Sequence, residues 1–359
     1  MHVLINTGGG DAPGLNAVIR AATLSALKNG WRISGIRFGY EGLLDHVENG
    51  LIELTPEKVR GIAHLGGTIL GAINKGNPFK FPVQEGGQTV IHDISDEVVQ
   101  RFRQVGADAL IAVGGDGSLS IAQRLFEKGI PLVGVPKTID NDLDCTAFTF
   151  GFDTAVSVAT EAIGRLHTTA ESHQRVMVTE VMGRYAGWIA LHSGIAGGAD
   201  VILIPEIEFD MDRVCEKIMD REHHKRHFSI VVVAEGAKPK GGTIAIKSKE
   251  LGREALLGGI GEQVARQISE RTGKETRTMV LGHIQRGGSP TAFDRLIALR
   301  FGAQAIRLIK QGRFGRMVAY QPPNMVDVPI VEAIKRMRGV PVDSDIVMTA
   351  RDIGISFGD

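Results

Sequence analysis

Residues 109–142 hold two short loops, each leaving an apolar run, and their order limits the fold more than any other stretch. The first loop, Gly114-Gly115-Asp116-Gly117-Ser118, follows Ala109-Leu110-Ile111-Ala112-Val113. The second, Pro136-Lys137-Thr138-Ile139-Asp140-Asn141-Asp142, follows Pro131-Leu132-Val133-Gly134-Val135. Between them, Ser118 to Lys128 carries Ile121, Ala122, Leu125 and Phe126 at helical spacing. Strand, glycine loop, helix, strand and acidic loop make one βαβ unit. Both loops then leave the carboxyl ends of parallel strands, where open α/β sheets bind ligands. A glycine loop at a helix start suits a phosphate, and carboxylates beside it suit a metal ion or a proton transfer. The chemistry indicated is movement of a phosphoryl group.

The rest of the chain is consistent with an α/β protein of enzyme size. Its 359 residues exceed a typical single core, so two domains are expected. Charge balances to zero, which gives no electrostatic footprint for nucleic acid or a membrane surface. The 46 glycines cluster after apolar runs rather than in low-complexity tracts, so they read as loop residues. Cys145 and Cys215 alone do not make a disulfide framework, and a reducing cytoplasm is expected. The opening Met1-His2-Val3-Leu4-Ile5 reads as a strand rather than a secretory signal, and no apolar run is long enough to span a bilayer.

The opening segment repeats the same pattern. Val3 to Thr7 reads as a strand, Gly8-Gly9-Gly10-Asp11-Ala12-Pro13-Gly14 as its loop, and Leu15 to Lys28 as the helix that follows, closed by Gly30. Thr55-Pro56-Glu57 has the marks of a helix start. Strands are expected at 31–37 and 89–91. A second series begins near residue 151: a helix at 154–166, a strand at 175–181, a helix from Arg184 to about Ile195, and strands at 201–204 and 229–234. Helix 261–270, strand 277–282 and helix 294–310 follow. This alternation predicts an α/β fold of two doubly wound, mostly parallel, Rossmann-like sheets, with the active site in the cleft between them. The expected division is 1–150 plus about 285–335 for a donor-binding domain, and 151–284 plus about 336–359 for an acceptor domain. Residues 342–359 read as a tail or arm.

Each motif has a bland alternative. Three successive glycines at 8–10 exceed what a tight turn needs, which favours close approach of main-chain amides to phosphate. Asp116 suits Mg²⁺, while Ser118 could simply cap a helix. Asp140 and Asp142 could belong to an Asx-rich turn, but two carboxylates there can take different environments, one as a base and one toward metal. His173-Gln174-Arg175 precedes a strand, Met182-Gly183-Arg184 follows it, and Glu275-Thr276-Arg277 opens another strand leading to Gly282-His283-Ile284-Gln285-Arg286. Singly these arginines read as surface ion pairs; four at strand ends suit a dianionic phosphate. Glu235 suits sugar hydroxyls, and His283 is as readily structural as functional.

Taken together, Gly-Gly-Asp-Gly-Ser, Thr-Ile-Asp-Asn-Asp, Met-Gly-Arg and Leu-Gly-His-Ile-Gln-Arg-Gly-Gly-Ser-Pro resemble the 6-phosphofructokinase family from the first strand to about residue 340. The resemblance implies transfer of a phosphoryl group from ATP to the 1-hydroxyl of fructose 6-phosphate, a glycolytic reaction. It implies Asp140 as base, with Thr138 and Arg184 beside it in catalysis, and Asp116 and Asp142 serving Mg²⁺. Met182, Gly183, Arg184, Glu235, His283 and Arg286 would line the sugar phosphate pocket. Arg175 and Arg277 would reach a neighbouring subunit's site in a homo-oligomer, dimer or tetramer. Gly9, Tyr40, Gly115, Gly117 and Ser118 would belong to the donor site.

The donor site mixes two patterns within that family. Pyrophosphate users carry Asp where this chain has Gly117 and Lys where it has Lys137; the commonest bacterial ATP enzymes have Gly at both. Gly117 leaves room for a nucleotide and decides for ATP, with pyrophosphate or ADP as the alternatives. Lys137 can contact donor phosphates, or point to solvent as a loop lysine. Lys75 stands near the place of a phosphate-bridging arginine. Arg20 keeps one position of the familiar effector site, but Leu24 and His167 replace basic residues there, so no effector is expected by default. A non-catalytic sugar-phosphate sensor and a nicotinamide dinucleotide kinase are the competing readings. Intact Asp116, Asp140 and Asp142 oppose the first, and the arginines with Glu235 oppose the second.

Overall fold

The computed structural model describes residues 1–73, 76–248 and 256–359. The chain divides into two compact units: unit 1 is 1–139, 143–153 and 286–337, and unit 2 is 140–142, 154–285 and 338–359. This places Asp140–Asp142 with unit 2, whereas the sequence reading kept them in 1–150.

In chain order, the first part of unit 1 carries strands β1 (His2–Thr7), β2 (Arg32–Ile36), β3 (Leu51–Glu53), β4 (Phe81–Glu85), β5 (Gln88–His92), β6 (Ala109–Gly114), β7 (Leu132–Thr138) and β8 (Phe150–Gly151). Its helices are α1 (Leu15–Lys28), α2 (Ser95–Gln104) and α3 (Asp116–Glu127), and α4 (Phe152–His173) comes next. Unit 2 holds β9 (Val176–Val181), α5 (Trp188–Ala196), β10 (Val201–Leu203), α6 (Met211–His223), β11 (Ser229–Ala234), β12 (Ile246–Ser248), β13 (Leu256–Leu257), α7 (Ile260–Thr272) and β14 (Thr276–Val280). Unit 1 resumes with α8 (Ala292–Lys310), β15 (Arg316–Gln321), β16 (Asn324–Pro329) and α9 (Ile330–Ala333), and α10 (Asp345–Asp352) closes unit 2.

The main sheet of unit 1 runs β16-β15-β7-β6-β1-β2-β3, with β8 alongside β7. Its centre is parallel, and only β3 and β16 at its edges run antiparallel. Alternation along each strand explains the continuous apolar runs. Val3, Ile5, Ile111 and Val113 face a core shared with α1 and α8, while Leu4, Leu110 and Ala112 face a second core with α3. A sheet covered on both faces needs apolar residues at every position. Unit 2 has a parallel four-stranded sheet in the order β10-β11-β9-β14. One of its faces packs Val176, Val178, Val231 and Val233 against Val214, Ile218, Val264 and Ile268 of α6 and α7.

Three expectations change. Residues 55–61 form turns followed by a short 3₁₀ helix, Ile62–His64, rather than an α-helix. The Thr55 hydroxyl does accept from Lys58 N at 3.3 Å, but Gly61 at φ 74° ends the turn before a helix can propagate. The strand expected at 89–91 exists as β5, but it pairs only with β4 in a separate hairpin. Residues 342–359 are part of unit 2: α10 lies there, Phe357 is fully buried, and Ile202 N donates to Ser356 O at 2.9 Å along the open edge of β10. An edge covered in this way offers no free strand for association.

Gly302 lets α8 approach α1. A Cβ there would stand 2.4 Å from the Val18 carbonyl oxygen and 3.0 Å from the Ala21 Cβ. Gly302→Ala is therefore expected to destabilise the protein by about 1–3 kcal/mol despite alanine's better helix propensity. Urea unfolding measures this, and an unchanged or raised midpoint is the contrary result.

Candidate active site

The parallel register brings three loops to one edge of the unit 1 sheet. Thr7 pairs with Val113 and Val113 with Val135, so the loops after Thr7, Gly114 and Thr138 leave neighbouring strand ends; Pro136, Lys137 and Thr138, expected in the second loop, are still strand residues. Gly8 N donates to Val113 O at 2.8 Å. Ser118 occupies the space between the two glycine loops. A Cβ on Gly8 would lie 2.7 Å from Ser118 Oγ, and one on Gly114 would lie 2.2 Å from Ser118 Cβ. Glycine at these positions is a packing requirement, and Ser118 is the reason.

Lys137 is the largest surprise of this region. It is not a loop lysine in solvent: only 4 % exposed, it donates through Nζ to the Gly10 carbonyl. A Cβ on Gly9, which sits at φ +72°, would be 3.6 Å from that Nζ. Arg286 joins the same loop, with Nη1 donating to Asp11 O at 3.2 Å and standing 3.1 Å from where a Gly10 Cβ would be. The structure thus places Arg286 on the first glycine loop. Gly115 lies against the end of β7, its ideal Cβ 3.3 Å from Lys137 O. Thr138 ends that strand, its carbonyl accepting from Thr149 Oγ1 at 2.7 Å.

Asp116 and Gly117 open α3 and are exposed. The positive helix end favours the Asp116 carboxylate and equally an anionic ligand. At Gly117 a Cβ would meet nothing within 4 Å. Tyr40 departs from expectation: its ring is 5 % exposed in the core with Leu4 and Ile36, and its phenol bonds Asn6. Burial pushes that phenol's pKa well up. Its ring packs within that core. Lys75 lies outside the described residues.

Unit 2 gathers a second group. Glu235 N donates to Val181 O at 2.9 Å and Gly236 N to Gly183 O at 3.1 Å, which lays the end of β11 beside the loop after β9. Met182, Gly183, Arg184 and Glu235 are thereby brought together. Gly183 takes φ 136°, and a Cβ on Gly236 would overlap the Arg184 carbonyl at 2.0 Å. The Arg184 guanidinium lies 5.2 Å from the Tyr185 ring centre. The helix expected from Arg184 starts only at Trp188, because residues 182–187 are committed to this loop. Asp140, half-buried, and Asp142, 9 % exposed, form the turn that belongs to this unit, with Asn141 at φ 52° between them.

Arg175 and Arg277 lie elsewhere. Arg175 Nε pairs with Glu275 Oε2 at 2.7 Å, and Arg277 takes the other oxygen. The hydrogen bond from Arg175 holds the Glu275 carboxyl below its usual range. Both arginines are at the amino ends of β9 and β14, whereas Met182–Arg184 follow the carboxyl end of β9. Six strand residues at ~3.3 Å each separate the groups by roughly 20 Å. His283 is exposed in a 3₁₀ turn, Gly282–Arg286.

Sequence reasoning passed over Glu206. This half-buried carboxylate accepts Gly187 N at 3.0 and 3.1 Å and Val340 N at 2.7 Å, holding the end of the arginine loop. Its one legible signal is an acid in the short segment that follows the buried strand Val201–Leu203, as Glu235 and Asp116 follow theirs.

Among the described residues no three His, Cys, Asp or Glu side chains form a metal-binding group. Mg²⁺ at a phosphate site takes only one or two carboxylates, the rest coming from phosphate and water, so the hard oxygens of Asp116 and Asp142 fit it by chemistry.

Glycine loops on a parallel sheet, a helix start open to an anion and an acidic turn define a phosphoryl-transfer type of α/β protein. The family model "Phosphofructokinase" matches residues 2–309, and the chain belongs to the phosphofructokinase family. It is 51% identical to the ATP-dependent 6-phosphofructokinase of Chloroflexus aurantiacus over 98% of this chain and 96% of that one. It is also 50% identical to the pyrophosphate–fructose 6-phosphate 1-phosphotransferase of Streptomyces coelicolor, over the whole of both. Among solved structures, the phosphofructokinase of Saccharomyces cerevisiae superposes with a TM-score of 0.78 at 29% identity, over 93% of this chain and 45% of that longer one.

Burial pushes the Glu206 carboxyl up, against the lowering pull of the Val340 and Gly187 amides. A raised folded-state pKa means its stabilising contribution is full below the ordinary glutamate value and is lost as pH rises through the raised one. The stability of the parent relative to Glu206→Gln is therefore expected to fall as pH rises from about 4 towards 7. Denaturant unfolding at several pH values measures it; a difference independent of pH contradicts this.

Proposed function

We propose that this chain is an ATP-dependent 6-phosphofructokinase, transferring the γ-phosphoryl group to the 1-hydroxyl of fructose 6-phosphate. The acceptor follows from the family and from relatives of about half identity over their whole length. Those relatives carry both donor names at nearly equal identity, so the donor is argued from one residue. Gly117 lies in the first turn of α3 and outside the left-handed region, so its backbone does not call for glycine. Nothing lies within 4 Å of the Cβ it lacks, so the fold does not require glycine there. Space for a nucleotide does, and an aspartate would both fill that space and repel an α-phosphate.

In this reading Asp140 accepts the proton from the 1-hydroxyl as its oxygen attacks the γ-phosphorus, and ADP leaves. Thr138 and Arg184 position the transferring group. Met182, Gly183, Arg184, Glu235 and His283 serve the sugar phosphate. Gly9, Gly115, Gly117, Ser118 and Lys137 serve the donor, with Arg286 placed where it steadies the first glycine loop. Mg²⁺, held by Asp116 and Asp142, would neutralise charge on the donor phosphates. The ~20 Å between Arg184 and the Arg175–Arg277 pair supports a homo-oligomer in which that pair serves a neighbouring copy. No described helix is long and apolar enough to cross a membrane, and a cytoplasmic enzyme fits the two unpaired cysteines.

Purified protein offered fructose 6-phosphate and Mg²⁺ with ATP, ADP or pyrophosphate in parallel is expected to turn over with ATP. No turnover with any donor sinks the kinase reading, and turnover with pyrophosphate alone sinks the donor argument. Asp140→Ser is expected to lower kcat by about 10²–10⁴-fold with the fructose 6-phosphate KM changed far less. Parental kcat removes Asp140 as the base. Gly117→Asp is expected to lower kcat/KM for ATP at least ~10-fold relative to pyrophosphate, a differential of about 1.4 kcal/mol. An unchanged donor ratio rejects the steric account.

A further inference from the structure

The C-terminal segment makes contacts that the reaction as described does not use. Arg338 N donates to the Asp142 carbonyl at 2.8 Å. The carbonyl of the same residue accepts from Trp188 Nε1 at 2.9 Å, and its guanidinium lies 4.8 Å from the centre of a Trp188 ring. Two residues on, Val340 N reaches Glu206, which also takes Gly187 N. Residues 338–340 therefore bond the acidic turn on one side and the end of the arginine loop on the other. Trp188 is 7 % exposed, so its indole N–H has no ready exchange with water in place of this partner.

We infer that Arg338–Val340 is a strap that sets the Asp140–Asp142 turn against the Met182–Arg184 loop, with Trp188, Arg338 and Glu206 as positioning residues for phosphoryl transfer. The inference rests on the kinase reading for its functional half. None of the three needs to touch substrate. Each fixes main chain next to a side chain that does, and sub-ångström misplacement of reacting groups is costly.

Trp188→Phe removes the N–H while keeping a ring under the guanidinium. Two readouts are taken on the full-length protein: steady-state kinetics with fructose 6-phosphate, and hydrogen exchange in peptides covering 138–145 and 182–188. The expected result is a kcat about 10-fold lower, an ATP KM within about twofold of parental, and faster exchange in both peptides together. A folded variant with parental kcat, or with exchange unchanged in residues 138–145, overturns the proposal. If Trp188→Phe fails to fold, Arg338→Met, which takes the cation away from the ring, is judged by the same two readouts. A parent protein that does not phosphorylate fructose 6-phosphate defeats the kinase reading instead, and the exchange measurement then decides the strap alone.

Discussion

Everything in unit 1 depends on the register of three parallel strands. Thr7, Val113 and Val135 lie in one hydrogen-bonded row, and β1, β6 and β7 end close behind it, at Thr7, Gly114 and Thr138. A slip of one residue would exchange the two cores, because Val3 and Ile5 face α1 and α8 while Leu4 faces α3. The same slip would set the glycine loops at different heights, and Ser118 would no longer fit between Gly8 and Gly114. Packing on both faces of the sheet thus holds the chemistry at its edge in place.

Within that edge, two polar groups take positions that a turn-forming role does not explain. Ser118 sits where Cβ atoms on Gly8 and Gly114 would have to be, so two glycines exist to make room for one hydroxyl. Lys137 brings a cation into a nearly closed space at the cost of its hydration, partly offset by the Gly10 carbonyl. That cation and the start of α3 both make the neighbourhood positive, which suits a phosphorylated donor of any kind. Lys137 therefore does not discriminate between ATP and pyrophosphate. On the proposed reading discrimination falls to Gly117, where the missing side chain leaves open space instead of serving a neighbour.

The apolar runs and the loops behind them were legible because a doubly covered parallel sheet writes its strands as unbroken hydrophobic stretches. Strand 229–234 and helix 15–28 were read with the bounds the structure has. Failures came where local signals met tertiary demands. Thr55 begins a turn, but Gly61 ends it. Arg184 looked like a helix start, yet residues 182–187 bend to meet Gly236 and Glu206. The family resemblance assigns Tyr40 to the donor site, and only the packing of Leu4 and Ile36 around it reveals its burial. Contacts between distant segments, such as Trp188 with Arg338, leave no periodic mark at all.

The two ends of β9 impose a last constraint. Arg184 follows its carboxyl end, and Arg175 precedes its amino end, so the rigid strand itself keeps them roughly 20 Å apart. No side-chain rearrangement within one copy of unit 2 closes that gap, since an arginine reaches only a fraction of it. Glu275 holds Arg175 and Arg277 together, but ion pairs this exposed contribute little stability. Two guanidinium groups on one carboxylate leave a net positive charge at an edge strand. A sugar phosphate that requires all of these arginines can meet them only across two copies of the chain. On the proposed reading, oligomerisation then follows from strand length as a condition of the reaction.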